Sequence, residues 1–280
     1  MKNLIRALIS RSVHNDRIWR FFYHKVVALA RYIDREREKP LLDSPARLNE
    51  LVRDMFSGHK VRNGPFKGMI YPAVPSSGGA IYPKLIGSYE RELNRVVEEI
   101  CARTYPEIID VGCAEGYYAV GFALRKPETK VYAYDVNEHA LRLCGAMAKM
   151  NQVQERVITG SFCSPDTLRD FQFTRRALIM SDCEGYEYNL FAESLIALLS
   201  RHDLLIEVHD FTGKNICTSL IERFHRTHVI ESIQSIADIR KAQLYDYPEL
   251  SGLNLASRFA LLAENRPATM EWLYLKSRVE

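Results

Sequence analysis

Two short stretches concentrate the residues able to move a proton. One is SDCEGYE, with Asp182, Glu184 and Glu187; the other is EVHD, with Glu207, His209 and Asp210. Each follows an apolar run of strand character, Ala177 to Met180 and Leu204 to Ile206. If those strands are neighbours, Asp182, Glu184, Glu207 and His209 converge within a few ångströms. An unperturbed imidazole titrates near pH ~6.5, so His209 can take a hydroxyl proton at neutral pH. That makes His209 the candidate base, with Asp182 and Glu184 beside it. The same group would also serve as a divalent-cation site, since hard cations accept carboxylate oxygens. Nothing in the spacing demands a metal, and the metal-free reading is preferred. Glu184 and Glu187 also have a plainer role open to them, as acidic residues at the start of the helix that follows.

Upstream lies EIIDVGCAEGYYAVGFA, residues 107–123. It reads as a strand ending in Asp110, a small-residue turn (Gly112, Cys113, Ala114, Glu115, Gly116) and an apolar helix. Glycines at 112 and 116 would let a ligand lie against bare backbone, where a Cβ would intrude. About twenty residues on, the run Val131 to Tyr134 ends in Asp135, a carboxylate placed to accept ribose hydroxyl protons. The turn lacks the G-x-G-x-x-G spacing of a dinucleotide site. Its acidic neighbours Asp110 and Glu115 would repel a pyrophosphate and suit a ligand carrying an ammonium and a sulfonium.

The acid–glycine turn followed by Asp135 resembles the class I S-adenosylmethionine-dependent methyltransferases. Within them, Tyr89-Glu90, the turn from Asp110 to Gly116 and the Asp-x-Glu-Gly-x-Glu segment from Asp182 to Glu187 resemble the FkbM family. The likeness spans roughly residues 80–210. It departs from the family in Gly-Cys-Ala-Glu-Gly, where Gly-Ala-Asn-x-Gly is more usual, and in Cys183, where an aliphatic residue is usual. The resemblance implies S-adenosyl-L-methionine held by Tyr89, Asp110, Gly112, Ala114, Glu115, Gly116, Asp135, Val136, Ser161, Phe162 and Asp182. It implies methyl transfer to a hydroxyl of a small molecule, a sugar or a glycan, with His209, Asp182 and Glu184 as the catalytic group. The competing readings are an NAD(P)-dependent oxidoreductase and a non-catalytic binding protein on the same fold. Nucleic acid is not expected, because no base-flipping segment and no basic–aromatic strand pattern is present.

The elements that must position these residues alternate. Strands are expected at 108–110, 131–134, 156–162, 177–180 and 204–211, with helices between them, which gives an α/β fold with a doubly wound, mostly parallel sheet. HVIESIQSI, RFALLAE and MEWLYLKS are further strand-like runs, from which the sheet is expected to reach seven strands in a Rossmann-like order. Asn137 and Ser164-Pro165 are predicted helix caps. A helix capped by Ser88 is expected over 88–104, and another over Glu187 to Leu199. The stretch Ala237 to Ser257 reads as a lid over the site.

Three regions are expected: a basic helical lobe at 1–57, a loop and hairpin linker or cap at 58–87, and the catalytic domain at 88–280. Residues 1–40 hold ten Lys/Arg against four Asp/Glu, so the net charge of +3 is carried by one end of the chain. Residues 1–38 show helical apolar spacing with arginines opposite. A lobe packing its apolar stripe is the preferred reading, and peripheral membrane contact the alternative. With 47% apolar and 26% charged residues, a full core is expected. No run is long enough to span a bilayer and no secretory leader is apparent. Six cysteines without paired spacing fit a reduced, cytoplasmic protein better than a disulfide or zinc scaffold.

Overall fold

The computed structural model describes residues 45–72, 80–210 and 215–279. The chain divides into two compact units, Met1–Asp54 and Met55–Glu280. The first is described only within helix α1 (Pro45–Met55). The basic helix expected over residues 1–38, with its alternative of membrane contact, lies outside the described residues. No described helix is long and apolar enough to cross a membrane.

The second unit is built on strands β1 (Glu107–Val111), β2 (Lys130–Tyr134), β3 (Val157–Gly160), β4 (Leu178–Ser181), β5 (Asp203–Val208), β6 (His228–Gln234) and β7 (Glu271–Ser277). They form one seven-stranded sheet in the order β3-β2-β1-β4-β5-β7-β6. The four contacts from β3 through to β5 are parallel, and β7 runs antiparallel to both β5 and β6. β1, β4 and β5 are buried along their whole length, as strands covered on both faces must be. The order reverses between β1 and β4, where an open α/β sheet leaves a crevice at its carboxyl edge.

The expected caps form. Asn137 accepts from the amides of His139 and Ala140 to start α5 (Glu138–Met150). Ser164 and Thr167 make a reciprocal capping box at α6 (Pro165–Asp170). The segment 60–70 closes as a hairpin through Val61 and Met69. Its Phe66 packs edge-on against Tyr117, Tyr118 and Phe122 of α4 (Tyr117–Arg125).

Four expectations are corrected. RFALLAE is not a strand; it lies in a helix, α11 (Leu255–Leu262), which Asn254 caps by accepting from Ser257. Its buried residues, Ser257, Leu261 and Leu262, fall at helical spacing, and an apolar run this short does not distinguish the two periods. Ser88 caps nothing. Its amide and that of Tyr89 both bond Pro83 O, and the helix α3 (Asn94–Ala102) begins only after Glu90, which sits at φ +46°, and a 3₁₀ turn. The helix expected from Glu187 to Leu199 breaks after α7 (Glu187–Leu190) and resumes as α8 (Ile196–Leu199), with a 3₁₀ turn between. The stretch 237–257 lines neither cavity at the carboxyl edge of the sheet and so is no lid over them. It contains α10 (Asp238–Leu244), with Lys241 and Ala242 buried, and Leu250 has no exposed surface.

Candidate functional site

Two cavities open at the carboxyl edge and share a wall. The first, about 400 Å³, is lined by Gly112, Ala114, Asp135, Val136, Ser161, Phe162, Asp182 and Glu184 among others. The second, about 240 Å³, is lined by Lys84, Tyr89, Asp182, Glu184, Glu207, His209 and the segment Glu264 to Pro267. Ala114, Asp182 and Glu184 belong to both.

In the first cavity, Asp135 is held by its own neighbours. One carboxylate oxygen accepts from the Ala114 amide at 2.9 Å and the other from Asn137 at 2.7 Å. A carboxylate has about four lone-pair sites, so each oxygen keeps acceptor capacity for a diol. Beside it, Val136 is 76% and Phe162 51% exposed, two apolar surfaces that a flat ring would cover. At the other end sits Asp182. Burial, with Glu90 and Glu184 nearby, pushes its carboxyl up to about 7, and one of its oxygens has no hydrogen-bond partner. A carboxylate so placed gains from a cationic ligand. The cavity therefore fits a ribose at Asp135, an apolar ring between Val136 and Phe162, and a positive centre at Asp182.

The sequence-predicted residues do not all reach this wall. Glu115 is fully buried and points to Lys84 Nζ at 2.5 Å, so its charge is already answered. Asp110 lies behind the turn, where it receives the Ala119 amide; burial and the nearby Asp135 raise its carboxyl to about 7. Tyr89 lines the second cavity, under Lys84 Nζ at 4.8 Å. The glycines also have a reason other than ligand access. A Cβ on Gly112 would stand 1.7 Å from the Asp182 carbonyl oxygen, and one on Gly116 2.8 Å from Cys144 Sγ. Gly112 lets the turn after β1 press against the turn after β4, which brings Asp135 and Asp182 to one cavity.

Asp110 carries a stability prediction. Its folded pKa stands above its unfolded value, so its contribution is complete below about pH 4 and is lost as pH rises through 7. Asp110→Asn keeps an oxygen for the Ala119 amide and removes the titration. The variant's melting temperature relative to wild type is expected to climb between pH 4 and 7 and level off above, as read by calorimetric scans across that range.

In the second cavity the predicted cluster converges because β4 pairs β5. His209 Nε2 lies 3.5 Å from Asp182 Oδ1, 3.5 Å from Glu184 Oε2 and 3.8 Å from Glu207 Oε2. A closer contact is to Glu187: Nδ1 is 2.7 Å from its Oε1. Burial pulls the imidazole pKa down, but the Glu187 hydrogen bond and the surrounding carboxylates outweigh it, and it ends above its ordinary value. Asp210 faces elsewhere and caps α9 (Ile216–Phe224) through the amides of Ile216 and Cys217.

Sequence reasoning missed the framework behind this cluster. Arg266 forks three ways, bonding Glu207 with Nη1, Glu90 with Nη2 and Glu264 with Nε, the last at 2.9 Å. Glu264 is also paired with Lys241, and Glu90 accepts from the Tyr118 hydroxyl. An arginine in the loop before a strand was the only signal available, and it has no spacing rule.

A family model described as the methyltransferase small domain matches residues 94–174. The seven-stranded, mostly parallel sheet with helices on its faces is the fold class the sequence predicted. No curated protein sequence matches the chain. Among solved structures, the O-methyltransferase TomG from Streptomyces achromogenes, in complex with SAM, shares 11% identity over 69% of this chain and 82% of its own, at a TM-score of 0.45. Precorrin-6y C5,15-methyltransferase from Geobacter metallireducens shares 12% over 74% of this chain and 100% of its own, also at 0.45. A putative O-methyltransferase from Klebsiella pneumoniae shares 8% over 88% and 97%, at 0.43. The family match over residues 94–174 supports a methyltransferase with S-adenosylmethionine as cofactor.

Proposed function

We propose that the chain is an O-methyltransferase of FkbM type acting on a hydroxyl of a small molecule or sugar. The observation that carries this reading is the shared wall: Asp182, Glu184 and Ala114 border both the cavity that fits the donor and the cavity that holds His209. The three segments that resemble the FkbM family also meet here. Glu90 is tied through Arg266 to Glu207, and Glu207 and Glu187 both lie beside His209.

When bound, S-adenosylmethionine supplies an electrophilic methyl group. The residues of the chain do the rest by placement, and proximity with alignment can supply up to ~7–11 kcal/mol of the barrier. Asp135 holds the ribose hydroxyls, Val136 and Phe162 flank the adenine, and Asp182 faces the positive centre. His209 is placed to take the acceptor's hydroxyl proton at Nε2. The acceptor cavity is walled by Asp182, Glu184, Glu207 and Glu264, with Arg266 already committed to three glutamates. That balance suits a neutral polyhydroxy acceptor and opposes a phosphate or carboxylate.

S-adenosylhomocysteine is expected to raise the melting temperature, and NAD to leave it unchanged. A response to NAD alone would favour the oxidoreductase, and a response to neither the binding module. Asp135→Ala removes charged hydrogen bonds worth ~1.5–3 kcal/mol, so calorimetry should show donor affinity falling by roughly 10- to 150-fold. A tritiated-methyl screen of extract fractions, split into small molecules, glycans, RNA and protein, identifies the acceptor.

A second reading has one observation in its favour. Asp182, Glu207 and His209 offer ligand atoms that all lie within 4.8 Å of one another. An imidazole with two carboxylates can hold a divalent cation that would bind a diol acceptor. Under the proposed metal-free chemistry, dialysis against EDTA leaves turnover unchanged. Loss of turnover restored by Mg²⁺ or Mn²⁺ would transfer the role of His209 from base to ligand.

A further inference from the structure

We propose that Glu187 is the positioning residue of His209: it fixes the ring tautomer so that Nε2 is the nitrogen offered to the acceptor. The inference rests on the reading of His209 as the proton acceptor. Glu187 is fully buried and its Oε1 lies 2.7 Å from His209 Nδ1. The same oxygen receives the backbone amides of Cys183 and Gly185, each at 3.2 Å. Two consecutive residues of the intervening turn, Glu184 at φ +53° and Gly185 at φ +98°, adopt left-handed backbone. A non-glycine residue there is uncommon, and this turn aims both amides at one carboxylate oxygen.

The Cys183 and Gly185 amides both donate to Oε1, which makes that oxygen an acceptor, as in an ionised carboxylate. Nδ1 must then carry a hydrogen, because the partner of one ring nitrogen decides which tautomer the imidazole adopts. Neutral His209 is left with its lone pair on Nε2, the nitrogen beside Asp182, Glu184 and Glu207. Glu187 itself lines neither cavity and reaches the acceptor site through the imidazole.

The test uses the full-length protein and long-range ¹H–¹⁵N spectra of its histidines, which report tautomer and pKa without any turnover. Wild type is expected to show neutral His209 protonated at Nδ1. In Glu187→Ala that preference is lost, and kcat falls by about tenfold or more while KM for the donor is unchanged. Glu187→Gln guards against a folding defect. The turn amides keep its carbonyl oxygen facing Nδ1, so the tautomer is retained, the imidazole pKa drops, and the acid limb of the rate profile moves to lower pH. A tautomer identical in wild type and Glu187→Ala, or a wild-type neutral proton on Nε2, overturns the proposal. Should the tautomer shift as expected while His209→Ala turns over like wild type, the reading of His209 as base fails, and the positioning role fails with it.

Discussion

His209→Ala is expected to lower turnover by about 10²–10⁴-fold, the usual contribution of a positioned general base, and to leave donor affinity nearly unchanged. The split follows from the two cavities. His209 lines the smaller cavity and not the larger one, where Asp135, Val136 and Phe162 lie. Its removal takes away the proton acceptor without touching the ribose or ring contacts. The wild-type pH profile adds a sign. His209 works as a base only when neutral, and its pKa stands above the ordinary imidazole value because Glu187, Glu207 and Glu184 surround it. The rate should therefore rise with pH through an apparent pKa above ~6.5 and should not already be at its plateau there. Single-turnover rates for both proteins across pH 5–9, with calorimetric donor titrations alongside, check both statements. A mutant with wild-type turnover would remove His209 from the chemistry.

Arg266→Ala is expected to cost about 3–5 kcal/mol of stability, the range for leaving buried charges without their partner. Glu90, Glu207 and Glu264 are each under 9% exposed, and Arg266 bridges all three. Glu207 already has its carboxyl pushed up to about 10 by burial and by Asp182. Without the guanidinium, three buried carboxylates lose the charge that favours their ionised forms. A folded-state pKa above the unfolded one contributes stability only at low pH, and that contribution drains away as pH rises through it. The deficit of Arg266→Ala should therefore be small near pH 4 and largest at neutral and alkaline pH. Urea midpoints at pH 4, 6 and 8 measure this. A deficit that is flat with pH would mean that packing, not charge, is what Arg266 supplies. Arg266→Lys should recover little, because an ammonium cannot replace the three-way fork.

Much of this arrangement was legible in the sequence, and the reason is local. Gly112, Asp135 and the Asn137 and Ser164 caps declare themselves because turn geometry, strand-tip position and capping each bind a residue type to its near neighbours. Asp182, Glu184, Glu207 and His209 needed one further assumption, that their strands pair, and alternating βα units make that a natural one. Glu115 and Asp110 were in the right turn but were assigned to the ligand. What turned them away was Lys84, in a segment 31 residues before Glu115, and the amide of Ala119 on the following helix. Arg266 is 176 residues from Glu90 and 59 from Glu207, and no periodicity links such positions. RFALLAE failed for a different reason. Its apolar residues suit either period, and the deciding partner was the cap at Asn254, just upstream.

The placement of β7 bears on how the protein comes into being. The donor cavity is complete once residues 111–186 have folded, whereas the acceptor cavity waits for Glu264 to Met270, which lead directly into the strand that slots between β5 and β6. During synthesis, a ribosome-bound chain would hold the ingredients for gripping the nucleoside well before those for admitting an acceptor. Of the seven strands, the one latest in sequence enters the interior of the sheet, so closing the sheet and completing the second cavity are a single event.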